Sequence, residues 1–165
     1  MDAISIEPAR REDLAAIAGI YHHYVLTSAH TFDLEVLPDS RWNDWFARFD
    51  GARHKLLIGR QDDSVLGYTF SDAYRPRAAY DPCVLTSVYV APEHVGRGVG
   101  TSLYHSLFDA LDGEDIHRAY AAISMPNPTS VRLHVRFGFT QVGYFSEQGR
   151  KFGRYWDVAW YERNC

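Results

Sequence analysis

Gly96, Gly98 and Gly100 alternate within Val95-Gly96-Arg97-Gly98-Val99-Gly100-Thr101, directly after an apolar run at 84–91. Lacking a Cβ, such a backbone can come close to a ligand. A helix that starts at this turn leaves its first N–H groups without intrahelical acceptors, which suits a diphosphate anion. Two other phosphate loops fit less well. A Walker loop ends in Gly-Lys-Ser/Thr, and here Gly100-Thr101 has no lysine before it. A dinucleotide fold would place its glycines near the N-terminus, with further strand–helix–strand units behind them. A plain turn stays open as the alternative.

Other reactive side chains carry less. Cys83 and Cys165 stand far apart, match no metal spacing, and are expected as reduced thiols. Cys83 lies in a strand-like run with no cationic neighbour to activate it as a nucleophile. His22 and His23 are adjacent, so on a helix they point to different sides, and no metal site is expected.

The elements that must position the loop follow from periodicity. Residues 4–7 alternate apolar and polar, which predicts a first strand ending at Pro8. Leu14, Ile17, Ala18, Tyr21 and Val25 recur at helical spacing, predicting a helix from Arg11 to about Thr27. A second helix should start after Pro38, capped by Asp39 or Ser40, with Trp42, Trp45, Phe46 and Phe49 on its apolar face. Residues 54–60 and 65–71 predict a hairpin, and 84–91 a long central strand stopped by Pro92. A helix follows through Leu103, Leu107 and Leu111 to Gly113. Then come a strand at 118–124, a short helix at 129–137 and closing strands at 140–145 and 155–161. That order is α+β.

Composition sets the frame. The 165 residues suit one domain, and 46% hydrophobic with 23% charged residues is ordinary for a globular protein. A net charge of −4 supplies no basic field for nucleic acid or an acidic membrane. The first residues, Met1 to Glu7, lack the basic start and apolar run of a secretion leader, and no run approaches a membrane span. A cytoplasmic location is the expectation.

The glycine loop resembles the acetyl-CoA pyrophosphate loop of GNAT N-acetyltransferases. Three more stretches resemble the phosphinothricin acetyltransferase branch: residues 20–28 with Thr31-Phe32, residues 75–80, and residues 149–154. The likeness runs from Ile6 to Trp160. It implies one GNAT domain over 1–165, with helical layers on both faces of a mixed, mostly antiparallel sheet (α/β/α) and a splayed central strand pair. It implies acetyl-CoA as co-substrate, a small amine as acceptor, and a homodimer. Main-chain groups of Val88, Tyr89 and Val90 would pair with the pantetheine arm. Val95, Gly96, Arg97, Gly98, Val99, Gly100 and Thr101 would cradle the diphosphate, and Asn127 would reach the cofactor or simply cap a helix. His134 stands where the branch has a histidine serving the departing thiolate, by a proton or a hydrogen bond. Phe32, Arg75, Arg77 and Tyr80 match a pocket for an anionic, amino-acid-like acceptor such as phosphinothricin or methionine sulfoximine.

Two residues depart from the pattern. Val95 replaces the Arg or Gln of the loop. Leu85, in Cys83-Val84-Leu85-Thr86-Ser87-Val88-Tyr89-Val90, replaces the glutamate that takes the substrate's proton. Three outcomes stay open: another base such as Asp72, Asp81, His30 or Tyr80; an unusually acidic acceptor amine; or acetyl-CoA binding with weak or no turnover. A protein or peptide N-terminal acetyltransferase is a further rival, argued against by the arginine pair.

Overall fold

In a computed structural model that describes residues 4–165, the elements run β1 (Ser5–Pro8), α1 (Leu14–Thr27), α2 (Asp39–Phe46), β2 (Leu56–Gln61), β3 (Ser64–Ala73) and β4 (Cys83–Val90). They continue with α3 (Val99–Leu111), β5 (Arg118–Met125), α4 (Pro128–Arg136), β6 (Thr140–Lys151) and β7 (Arg154–Asn164). Met1 to Ala3, on which part of the leader expectation rests, lie outside the described residues. The sheet order is β1-β2-β3-β4-β5-β7-β6. All neighbours are antiparallel except β4 and β5.

Both faces of the sheet are covered. Val84, Tyr104, Leu107, Ala119, Ile123 and Phe139 pack beneath α3 and α4. Leu14, Ile17, Ile20, Trp42, Ile58 and Tyr68 pack beneath α1 and α2. Alternation along β4 divides its side chains between these layers, with Val84 and Val88 on the α3 side and Tyr89 on the α1 side. β3 presses closely on β4 because Gly67 has no side chain: a Cβ there would lie 2.7 Å from the Tyr89 carbonyl oxygen.

Three local differences from the sequence expectation have physical causes. The turn Arg11–Asp13 is a 3-10 helix leading into α1, held by the Arg10 N–H donating to Asp13 Oδ2 at 2.7 Å. Pro38, not Asp39 or Ser40, is the residue before α2, and no side chain caps it; Asp39 lies in the first turn, where its charge favours the helix dipole. β6 and β7 also run further than 140–145 and 155–161. Their polar extension is irregular, with a register shift between Phe145 and Gly149 and a positive φ of 55° at Glu147. Asp157 secures that bulge by accepting from Glu147 N–H (2.7 Å) and Tyr144 O–H (2.6 Å). A bulge breaks the period-two pattern by which a strand is recognised in sequence.

The parallel pair decides the rest. β4 and β5 pair only at Cys83–Arg118, Val84–Ala119 and Leu85–Tyr120. Beyond Leu85 the two strands part, as a splayed central pair must.

Candidate active site

Where β4 leaves β5, its main-chain groups on that side have no ladder partner, and a cleft of about 680 Å³ opens. Thr86 to Val90 form one wall, Ala121 to Ser124 the other, and the glycine turn and α4 close its ends. Gly96 and Gly98 hold φ of +81° and +84°, a left-handed conformation open to glycine. Gly98 precedes α3 with no side-chain cap, and Ser102 is the first amide of that helix to reach back, to Gly98 O at 3.0 Å. The N–H groups of Val99, Gly100 and Thr101 therefore face the cleft end without main-chain acceptors. A wall atom is also unmatched: the buried Ser124 Oγ has no hydrogen-bond partner. An anion cradle, two free strand edges and a spare hydroxyl fit a diphosphate joined to an amide-bearing arm. These are the features of acetyl-CoA, and the residues present suit it.

The predicted cofactor residues are brought together here. Val88, Tyr89, Val90, Val95, Gly96, Gly98, Val99, Gly100, Thr101, Asn127 and His134 all line the cleft. Arg97 is exposed on the outer side of the turn and does not. Asn127 both lines the cleft and caps α4, its Oδ1 accepting from Ser130 N–H at 3.1 Å. Tyr24, unmarked in the sequence as a site residue, ties α1 to β4 by donating to the Val90 carbonyl at 2.5 Å.

His134 is 4% exposed. Its Nδ1 lies 2.7 Å from the Ser130 carbonyl, which can only accept, so Nδ1 carries the proton. Nε2 then accepts from the Tyr104 hydroxyl at 2.8 Å. Burial lowers the imidazole pKa from its usual 6.5, with the Ser130 bond opposing, so the ring is neutral at neutral pH. Burial likewise pushes the Tyr104 hydroxyl upward, which keeps it protonated. Sequence reasoning missed Tyr104. Its signal was a hydroxyl-bearing ring in the apolar stripe with Leu107 and Leu111.

The opposite face of β4 meets different company. Leu85 stands between Asp72 of β3 and Tyr120 of β5 in the register. Opposed residues of an antiparallel pair share a face, so Asp72 is the carboxylate beside Leu85. Arg48 holds Asp72 at 2.5 Å, and the Ala73 N–H donates to it at 2.8 Å. Tyr120 stacks on Tyr74 (4.4 Å between centroids), and the Arg75 guanidinium lies 5.1 Å over Tyr74 and 5.7 Å over Tyr80. A ladder thus runs from Leu85 through Tyr120 and Tyr74 to Arg75. Arg77 is exposed beside it. Phe32 lies elsewhere, under the β6–β7 hairpin, where a Cβ on Gly149 would sit 2.4 Å from its ring. None of Phe32, Arg75, Arg77 and Tyr80 lines the cleft itself.

The other bases considered are distributed unevenly. His30 lines the cleft, with a pKa lowered by partial burial and by Lys151. Asp81 is exposed, 4.0 Å from Arg53. Among the described residues no cluster of three His, Cys, Asp or Glu side chains is placed to hold a metal, and no helix is long and apolar enough to cross a membrane.

The acetyltransferase (GNAT) family profile matches residues 16–139. The chain belongs to that family. It is thereby an acetyltransferase that draws on acetyl-CoA. It is 48% identical over 163 residues to a Streptomyces coelicolor phosphinothricin N-acetyltransferase, covering 97% of this chain and 95% of that protein. It is 31% identical to a Salmonella typhimurium L-methionine sulfoximine/L-methionine sulfone acetyltransferase, covering 94% and 91%. A Sinorhizobium meliloti GNAT phosphinothricin acetyltransferase solved with acetyl-CoA superposes with a TM-score of 0.93 at 27% identity, covering 99% of this chain and 89% of that one.

Proposed function

We propose that this acetyltransferase acts on the amine of a small amino-acid-like molecule of the phosphinothricin or methionine sulfoximine type. One observation carries the reading. The parting of β4 from β5 puts an amide cradle at one end of the strand and the Arg75–Tyr74–Tyr120 ladder at the other, with Leu85 between them. The relatives' names support the acceptor class.

Acetyl-CoA, when bound, supplies a thioester carbonyl. The amides of Val99, Gly100 and Thr101 hold its diphosphate, and the free edge of β4 around Val88 to Val90 aligns its arm as an added strand would. A main-chain N–H near Val88 or Tyr89 polarises the carbonyl oxygen. Arg75, with Arg77 at the rim, takes the acceptor's anionic group in paired hydrogen bonds. The amine then points at the Leu85 crotch. Asp72, beside Leu85, accepts the proton that an ammonium must lose before it attacks. His134 offers its Nδ1 hydrogen to the leaving sulfur in exchange for Ser130. With Nε2 occupied by Tyr104 and the ring neutral, it would stabilise the leaving thiolate by hydrogen bonding, and the thiolate would take up the proton that the attacking nitrogen sheds as the amide forms. The same reading carries a cytoplasmic homodimer. Exposed Val142, Tyr144 and Phe145 on the edge strand β6 support the second part.

Leu85 favours one rival, an acetyl-CoA-binding protein with little turnover. Thiol release on a panel of phosphinothricin, methionine sulfoximine and short peptides separates the two. CoA production with the small acids and none with peptides supports the proposal. Tight acetyl-CoA binding without turnover on any of them overturns it.

A further inference from the structure

A second cavity, about 350 Å³, lies on the α1/α2 side of the sheet, with Arg48, the partner of Asp72, in its wall. Tyr89 of β4 lines both this cavity and the cleft beside β5. Its walls are aromatic. Tyr68 and Tyr89 stack at 5.4 Å, Tyr21 meets Tyr89 edge-on at 5.3 Å, and Trp45 meets Phe70 edge-on at 5.4 Å. At this size it suits a small organic molecule.

The charges at its mouth decide which molecule. Asp33 lines it and accepts from Tyr21 O–H through Oδ2 at 2.6 Å, while Asp44 sits on the outer rim. Among the described residues neither carboxylate has a cation within 4.0 Å. Lys151 senses the Asp33 charge but gives its hydrogen bond to the Thr31 carbonyl at 2.8 Å. Of the two lining arginines, Arg48 is committed to Asp72 and Arg41 is exposed. Two unpaired carboxylates therefore meet one unpaired guanidinium at the mouth of a cavity walled by aromatic rings, a lining that favours a cation.

We infer that this cavity is a binding site for an organic ammonium, its apolar body among Tyr68, Phe70, Trp45 and Tyr89 and its cation against Asp33. The site adjoins the proposed acceptor side through Arg48 and Asp72 but is lined by neither Arg75 nor Leu85, and it does not require that its ligand be acetylated. Trp42 and Trp45 line the cavity, so tryptophan fluorescence of the full chain reports its occupancy. The probes are 2-phenylethylammonium, its neutral isostere 2-phenylethanol, and the anion 3-phenylpropionate, checked by calorimetry. The ammonium should bind about tenfold or more tighter than the alcohol, as a desolvated cation–π and carboxylate site requires, and the anion least. Asp33→Asn should erase that preference and leave acetyl-CoA affinity unchanged, which also verifies its fold. Equal binding of ammonium and alcohol overturns the inference on the wild-type protein alone, and so does a preference that survives Asp33→Asn. Failure of acetyl-CoA binding in the same titrations would count against the transferase reading and leave this one standing.

Discussion

The two sides of β4 are built from different materials. Toward α3 and α4 the cleft is made of main chain: free strand edges, glycines at +81° and +84°, and the open first turn of a helix. Toward α1 and α2 the working surface is made of side chains, with Asp72 beside Leu85, Arg75 laddered onto two tyrosines, and Phe32 wedged against Gly149. A main-chain site tolerates substitution wherever the backbone conformation survives. On the proposed reading, Val95 in place of Arg or Gln therefore leaves the amides of Val99, Gly100 and Thr101 free to serve as the cradle. A side-chain site changes its chemistry with one residue, and Leu85 is the instance. On that reading, the donor is held by main chain and the acceptor by side chains.

The largest expected effect tests the decorated side. Asp72→Asn should lower kcat by about 10²–10⁴-fold, the usual cost of a lost general base, and leave acetyl-CoA affinity untouched. Steady-state rates with a calorimetric control check this. Leu85→Glu offers the sharper contrast: with Asp72 already serving, it should alter kcat less than about tenfold. A gain of several orders of magnitude would mean that the acceptor side has no base at all.

Next comes the main-chain side. Gly98→Val places a β-branched residue at φ +84° in the anion cradle, and acetyl-CoA should bind about 100-fold more weakly, since backbone strain and lost amide contacts each cost on the order of 1–3 kcal/mol. Unchanged far-UV dichroism with unchanged affinity would break the claim that the backbone makes this site.

A subtler disturbance separates the halves again. Gly149→Ala drives a methyl group into the Phe32 ring, so that ring must move. Acceptor KM should rise several-fold while that for acetyl-CoA holds. Equal changes in both would show that the hairpin supports the whole molecule and not the acceptor side alone.

The smallest effect is on stability against pH. His134 and His30 both have folded-state pKa values below 6.5, so the unfolded chain takes up their protons first as the pH falls. The stability due to their neutral rings is full above about pH 6.5 and is lost as the pH drops below it. Melting temperature should fall between pH 7 and 5. His134→Gln should flatten that slope more than His30→Gln, because His134 is the more deeply buried and has both nitrogens bonded.

Much of the glycine turn and its flanking elements was legible in the sequence for a simple reason. Alternate glycines after an apolar run, ahead of Leu103, Leu107 and Leu111, specify a strand, a turn and a helix start through local sterics. The polar extension of β6 was not legible, because the bulge at Glu147 is held by Asp157 from the neighbouring strand. Nor could a sequence choose among Asp72, Asp81, His30 and Tyr80 as partner to Leu85. Asp72 is thirteen positions away along the chain, and antiparallel pairing makes it the neighbour.

The sequence by itself determined the order of elements, the amide cradle and the absence of a carboxylate at position 85, since each depends on residues close in the chain. Only the tertiary structure decided which carboxylate stands beside Leu85, that His134 spends both nitrogens on Ser130 and Tyr104, and that six aromatic rings enclose a second cavity. Those outcomes hang on strand register and on helices closing over the sheet, which are set by burial summed over the whole chain.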